Sequence, residues 1–486
     1  MGNPIAIQFF EWYLPDDGKH WQRLEKELPH LRELGVSGIW IPPAYKGTGK
    51  NDVGYGVYDL YDLGEFDQKG TVPTKYGTLE ELERAIAAIH DAGMKVYGDT
   101  VINHKAGADE TELFRVIEVN PENRDEEISE PFDIEGWTHF TFPGRAGKYS
   151  DFEWHFYHFT ATDFDQKSGK SGIYKIVGDY KQFSDNVSED KGNFDYLMFA
   201  DIDYDHPEAR EEIKRWVVWF VDKLQLDGLR MDALKHIDDQ FIAEFVEHAH
   251  ANTDRELYIV GEYWNGDDEL LGRYLDNVKG SMDLFDVPLH FNFHHASEAG
   301  DSYDMRAIFD NSLVRKAPQN VMTFVDNHDS QLGQSLQSWV KDWFKPLAYA
   351  LILLREDGYP CLFYGDYYGC GGENPVEGMR DQLDPLLKAR QIAAYGEQRD
   401  AFDDANVIGF QRTGDAEHPD SGLVCVMSNA VGGAKTFSFG ADRAGETFVD
   451  LTGNVDVEIT LDENGSAEFG CADGSVSVWV AKALTE

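Results

Sequence analysis

Carboxylates, imidazoles and cations stand at the ends of several apolar, strand-like runs of this chain. Asp99 and the Asn103-His104 pair close the run KVYGDTVIN, and Arg230, Asp232, Lys235 and His236 close the run beginning at Gly228. Glu262 ends the run from Leu257, and His328 and Asp329 follow the run Asn320–Val325. Two carboxylates flanking one bond are the minimum for glycoside hydrolysis: one stays ionised to attack carbon, and the other holds a proton for the leaving oxygen. Arg230 and Asp232 are two apart on a strand, so their side chains share a face. A fixed cation there is expected to lower the Asp232 pKa and keep it nucleophilic. Glu262 sits between apolar Ile259-Val260 and aromatic Tyr263-Trp264, where partial desolvation raises a carboxyl pKa and suits a general acid.

Each residue alone has a plainer reading. An Asp after a strand is commonly a helix N-cap, and this applies to Asp232 and Asp329. His104 or His328 alone is commonly a satisfied polar residue, and an Arg–Asp pair two apart is commonly only a salt bridge. The residues by themselves reach a barrel hydrolase with a carboxylate-lined mouth, and no substrate.

Such a mouth needs elements that bring distant strand ends together. Trp21, Leu24, Leu28, Leu31 and Leu34 recur at helical spacing, followed by the buried run Val36–Pro43. Leu79, Leu82, Ile86 and Ile89 repeat the pattern before the strand at 95–103. Further strands are expected at Gly228–Ala233, Leu257–Glu262, Ser281–Val287, Asn320–Val325 and Cys361–Tyr364. Helices are expected at Pro207–Gln225, Asp238–His250, Asp268–Val278, about Asp304–Val314, Lys341–Glu356 and Asp384–Tyr395. Roughly eight β/α units predict a closed (β/α)8 barrel, whose chemistry sits at the C-terminal ends of its strands. The alternation lapses from 105 to 206, too long for a loop and therefore an inserted small domain after the third strand. After Gly396 short strands alternate with Gly, Asn and Asp turns, predicting a C-terminal antiparallel β domain. The expected division is a barrel of 1–104 and 207–396, an insert of 105–206 and a β-sandwich of 397–486.

The 486 residues hold 89 acids and 43 bases, a net charge of −46. Nucleic acid and anionic membranes are poor partners for such a surface, and no apolar run is long enough to span a bilayer. The acids are spread along the whole chain, so a surface adapted to high salt is expected, with folding and activity needing about 1 M salt or more. The segment after Met1 has no basic, apolar or cleavage region of a secretory signal, which predicts a cytoplasmic chain unless a mature secreted form was recloned. Cys361, Cys370, Cys425 and Cys471 show no zinc spacing and are expected to be reduced and buried.

Four segments, 99–104 (DTVINH), 228–236 (GLRMDALKH), 261–264 (GEYW) and 324–329 (FVDNHD), resemble the signature segments of the α-amylase family and occur in the family's order. The segments QFFEWY at 8–13, GYGVYD at 54–59 and LMFADIDYDHP at 197–207 resemble the bacterial liquefying-type subgroup and its cytoplasmic relatives. This resemblance implies a barrel A domain, an inserted B domain, a β-sandwich C domain, and retaining hydrolysis of α-1,4-glucans by double displacement. Asp232 then matches the nucleophile, Glu262 the acid/base and Asp329 the third carboxylate, which steadies the transition state. Arg230 matches the family's cation. Tyr55, His104 and His328 match residues around the cleaved glucose, and Lys235 and His236 match the leaving-group side. The substrate implied is starch, glycogen or a maltooligosaccharide. A glucanotransferase with the same catalytic residues is the alternative, and a non-catalytic glucan-binding relative is disfavoured because all three carboxylates are present.

Asp201, Asp203 and Asp205 open like an EF-hand loop, but His206 stands where the loop needs Gly. The resemblance implies instead one Ca2+ held by Asn103, Asp195, Asp201 and the backbone carbonyl of His236. Thr160 and Ser184 stand where fuller metal clusters of the subgroup carry acids, so a single ion is expected.

Overall fold

The computed structural model describes residues 3–485. Eight parallel strands close into a barrel: β1 (Ala6–Gln8), β2 (Gly38–Ile41), β3 (Lys95–Thr100), β4 (Gly228–Met231), β5 (Tyr258–Gly261), β6 (Asp283–Phe285), β7 (Val321–Phe324) and β8 (Tyr359–Phe363). They pair in sequence order, and β1 closes on β8. The strands are apolar on both faces because the barrel interior covers one and helices the other.

The surrounding helices are α1 (His20–Glu33), α2 (Leu79–Asp91), α3 (Pro207–Leu224), α4 (Asp239–Asn252), α5 (Asp268–Asn277), α6 (Val287–Ala299), α7 (Lys345–Leu353) and α8 (Arg380–Ile392). α1 buries Trp21, Leu24, Leu28 and Leu31, the stripe legible in sequence. α2 begins with a capping box, in which Thr78 accepts from the Glu81 amide and Glu81 accepts from that of Thr78. Two glycines set how closely the strands pack: a Cβ on Gly228 would lie 2.2 Å from the Tyr258 carbonyl oxygen, and one on Gly261 2.1 Å from Leu234 Cδ1.

Several elements differ from expectation. The sixth barrel helix is Val287–Ala299, where no helix was expected, and the expected helix at 304–314 is a short 3-10 turn at Met305–Ala307 followed by one helical turn at Leu313–Lys316. The sequence of α6, VPLHFNFHHASEA, lacks a clean apolar stripe because His290 is buried with Leu289 and Phe293. Asp286 starts the helix by accepting from the Leu289 amide, and it also accepts from the amides of Leu313 and Val314. α7 starts four residues later than expected, at Lys345. α8 starts four residues earlier, at Arg380, because Pro385 is tolerated in its second turn.

Between β3 and α3 lies a five-stranded antiparallel sheet built on the long strand Glu110–Asn120, with Phe132–His139 and Lys170–Ile176 among its partners. His104–Lys105 pairs with Ala200–Asp201 and closes the base of this insertion. After α8 a six-stranded antiparallel sheet faces a two-stranded one. It includes Gln398–Ala401, Thr447–Asp450 and the short strand Glu458–Thr460. The four cysteines are free and buried. Among the described residues, no helix is long and apolar enough to cross a membrane.

Candidate active site

Register assembles the site. Arg230 on β4 pairs with Asp99 on β3, and Met231 pairs with Gly261 on β5, so Asp232 and Glu262 leave neighbouring strands side by side. Arg230 is wholly buried, and its Nη1 donates to Asp232 Oδ1 at 2.6 Å and to Asp99 Oδ1 at 3.1 Å. Its Nη2 lies 3.7 Å from Glu262 Oε2, so one guanidinium touches both strand-end carboxylates. The Asp99, Asp232 and Glu262 carboxylates hold the Arg230 pKa above its ordinary value against its burial.

Ala233 takes a left-handed conformation with φ 53°, uncommon for a residue with a Cβ. That kink aims its amide at Glu262 Oε2, 3.1 Å away. Burial pushes the Glu262 carboxyl above the usual range; Arg230 opposes this and Asp232 adds to it. Asp329 stands across the mouth, pushed up to about 8 by burial and by the like charge of Glu262.

His328 is also buried. Gln8 Nε2 donates to its Nδ1 at 3.0 Å, so the proton sits on Nε2. That Nε2 has no hydrogen-bond partner among the described residues and lies 3.4 Å from Asp329 Oδ2, leaving a donor for a ligand. Tyr55 stacks on His328 with ring centroids 5.0 Å apart, and Trp12 stacks on Tyr55 at 5.8 Å. This aromatic wall suits the apolar face of a sugar ring. His104 Nε2 donates to the Tyr55 carbonyl at 2.8 Å. Lys235 Nζ reaches the Trp264 carbonyl at 3.4 Å, and His236 Nδ1 donates to the Phe194 carbonyl at 2.7 Å. Trp12, Tyr55, His104, Asp232, Lys235, His236, Glu262 and Asp329 line one cleft of about 750 Å3, with Met198 and Phe199 on the wall formed by the insertion and Arg230 and His328 buried behind it. The structure therefore gathers every catalytic and substrate-binding candidate at one mouth.

Sequence reasoning assigned Asp99 no role. It accepts from Trp40 Nε1 and Tyr55 Oη, each at 2.9 Å, and from Arg230, and burial pushes it up to about 6. The signal available was its position on β3, one strand from Arg230. Gln8, which orients His328, and Trp12 lay in a segment noted only for its resemblance.

Beneath the insertion, Asn103, Asp195 and His236 line a cavity of about 20 Å3, room for a single small ion or water. Asn103 Nδ2 donates to Asp201 Oδ1 at 3.3 Å. Burial pushes both Asp195 and Asp201 well above the usual carboxylate range; Asp195 adds to the rise of Asp201, and Asp203 adds to both. Neither makes an ion pair among the described residues. The neighbouring acids are already engaged: Lys181 is ion-paired with Asp203, and Ser184 Oγ donates to Asp238 Oδ2 at 2.7 Å. Asp201 accepts from Thr160 and Asn103, and Asp203 is held by Lys181, so the two acids are engaged separately.

Comparison with known proteins agrees with this geometry. Residues 16–416 match the α-amylase catalytic domain, and 423–480 match the α-amylase C-terminal domain. The chain is 50% identical over 482 residues to an α-amylase of Bacillus licheniformis, covering 99% of this chain and 94% of that one. It is 46% identical to a cytoplasmic α-amylase of Escherichia coli, covering 99% of each. The fold resembles that of a Geobacillus thermoleovorans α-amylase solved with acarbose, with a TM-score of 0.64 at 18% identity, covering 98% of this chain and 97% of that one. A closed barrel with a carboxylate mouth, an insertion after its third strand, a β-rich C-terminal part and half-identical relatives along its whole length together make this chain a member of the α-amylase family of glycoside hydrolases.

Proposed function

We propose that the protein is an α-amylase, a retaining endo-hydrolase of α-1,4-glucosidic bonds in starch, glycogen or maltodextrin. The observation that carries this reading is the single buried guanidinium of Arg230 touching both Asp232 and Glu262. It supports the close carboxylate pairing, about 5–5.5 Å, that a covalent intermediate requires. Asp232, with Oδ1 held by Arg230, presents its other oxygen to the anomeric carbon. Glu262, whose burial favours the protonated form, gives its proton to the glycosidic oxygen as that bond breaks. The same carboxylate, now ionised, takes a proton from the water that releases the sugar from Asp232. Asp329 and the Nε2 proton of His328 steady the sugar hydroxyls, Tyr55 and His104 hold the glucose before the cut, and Lys235 and His236 hold the leaving side. The three-part division at 104/105, 206/207 and 396/397 goes with this reading. The name of the Escherichia coli relative supports action inside the cell.

Transfer to a sugar acceptor, as in a glucanotransferase, would use the same groups. Digestion of maltoheptaose with product sizing separates the two. Hydrolysis yields only chains shorter than seven glucose units, first released as the α-anomer. Products longer than the substrate would assign transfer instead.

The donor set under the insertion fits one hard cation. All four donors are oxygen, and two buried carboxyls that repel one another gain most from a cation between them. Asn103, Asp195, Asp201 and the His236 carbonyl would hold Ca2+, which when bound supplies charge neutralisation and a tie between insert and barrel. Exhaustive chelation at constant high salt should lower both melting temperature and activity. A calcium level 100-fold above Kd is worth about 2.7 kcal/mol, roughly 2–3 °C for a chain of this size. A crystal grown in calcium with no ion among Asn103, Asp195 and Asp201 would refute the site, and two or three metals between Asp195 and Asp205 would refute the single ion.

A further inference from the structure

A second cluster of metal-ligating side chains lies on the outer face of the inserted sheet, away from the cleft. His139 ends the strand Phe132–His139 and pairs in register with Glu110. The next residue, Phe140, forms a bridge with Trp154. Phe140 and Trp154 are buried, so the alternation along each segment turns His139 on one side, and Glu153 and His155 on the other, toward the outside. Glu112 lies past a register shift from Glu110, pairs with Gly136, accepts from buried Thr138 and bonds the His155 ring.

Hydrogen bonding sets the tautomers. His139 Nδ1 lies 3.0 Å from Glu110 Oε2, and His155 Nδ1 lies 3.0 Å from Glu112 Oε1. A carboxylate only accepts, so each Nδ1 carries the proton and each neutral ring keeps its lone pair on Nε2. In the neutral ring His139 Nε2 faces Glu153 Oε2 at 3.3 Å with one lone pair against another, whereas an imidazolium would ion-pair with both Glu110 and Glu153. That contact needs a positive charge between or upon the two atoms. Two ligands about 2.05 Å from a tetrahedral zinc lie roughly 3.4 Å apart, the separation found here. The His155 ring stacks on His139 at 4.3 Å, and one ligand atom from each of His139, Glu153 and His155 lies within 4.8 Å of the others. His155 and Glu153 are part-exposed, and the His155 ring, stacked on His139 and bonded to Glu112, reaches the ion by turning about that hydrogen bond.

We propose that His139, His155 and Glu153 bind one divalent cation of the zinc class, with Glu110 and Glu112 holding both imidazoles in the ligating tautomer. Imidazole ligands select zinc-like ions over the hard, oxygen-seeking calcium. Histidine ligands whose second nitrogen donates to a carboxylate are the usual arrangement around such ions. The neighbouring trio His158, His206 and Glu208 is similarly compact but wrongly protonated. His158 Nδ1 accepts the His155 backbone N–H at 3.0 Å, so its Nε2 carries the proton given to Glu208 and has no lone pair for a metal. The ion would fasten the end of the Phe132–His139 strand to the segment carrying Trp154. Trp137, two residues before His139, lines a cavity of about 420 Å3 shared with Phe199 of the cleft wall.

The test is calorimetric titration of the calcium-loaded full chain, freed of other metals, with ZnCl2 in high NaCl. One site per chain is expected, and Co2+ in its place should give the visible absorption of a tetrahedral complex. The double variant His139→Gln/His155→Gln should lose both signals, whereas His206→Gln should keep them. Glu110→Gln, at a side chain 66% exposed, should weaken binding about 10–100-fold without disturbing the fold, and so serves if the double variant misfolds. No zinc heat above background in the wild type, or equal binding by the wild type and either the double variant or Glu110→Gln, would overturn the site and leave the contact to an imidazolium ion pair.

Discussion

Replacing Glu262 by Gln should cut the rate of starch cleavage by about 10²–10⁴-fold while glucan binding survives. The amide keeps the shape, and its environment is set by backbone: the Ala233 amide still has an oxygen to donate to. What is lost is the proton for the leaving oxygen. Asp232→Asn should be at least as severe, because the covalent intermediate cannot form. Steady-state rates and equilibrium binding of a maltooligosaccharide check both variants, and near-normal turnover in either would overturn the role assignment. The pH profile offers a second check. The reaction needs Glu262 protonated, so its rate should fall as pH rises through the coupled titration of Glu262 and Asp329, the latter pushed up to about 8. Asp329→Asn removes the group that titrates near 8, so the alkaline limb of the residual activity should lose its later step and move to lower pH. A limb that does not move would contradict the coupling.

The second large effect concerns salt. A net charge of −46 over 18916 Å2 is about one net negative charge per 410 Å2, or a mean spacing of roughly 20 Å. Screening reaches ~30 Å at 0.01 M salt and ~8 Å at 0.15 M, so this diffuse repulsion should be relieved mainly below physiological salt. Adjacent acids behave differently. Glu122, Asp125, Glu126, Glu127 and Glu130 are all exposed along one short stretch of the insertion, and Asp267 and Glu269 crowd the start of α5. Repulsion at such short range is screened only as the Debye length falls toward ~3 Å near 1 M. Melting temperature should therefore climb steeply up to about 0.15 M NaCl or KCl and keep climbing to about 1 M, with activity following. A flat profile from low to molar salt would sink the salt-adapted reading.

The repeating architecture was legible along the chain. Helical stripes such as Trp21–Leu34 and buried runs such as Val36–Pro43 carry their period in the residues, because barrel helices bury one face and barrel strands both. It also marked Asp232, Glu262 and Asp329, since strand ends in a barrel point to one mouth. The other features arise from contacts between residues distant in the chain. α6 was illegible because burial of His290 among apolar residues erases the stripe that would announce a helix. Asp99 became visible only when the β3–β4 register set it beside Arg230. The protonation of Asp329 and the free Nε2–H of His328 depend on groups far apart in the chain, Glu262 in one case and Gln8 in the other. The facing lone pairs of His139 and Glu153 likewise arise only where two strands and a loop meet. Periodicity is a local property and can be read along a chain, whereas a pKa or a tautomer is set by whatever the fold brings within a few ångströms.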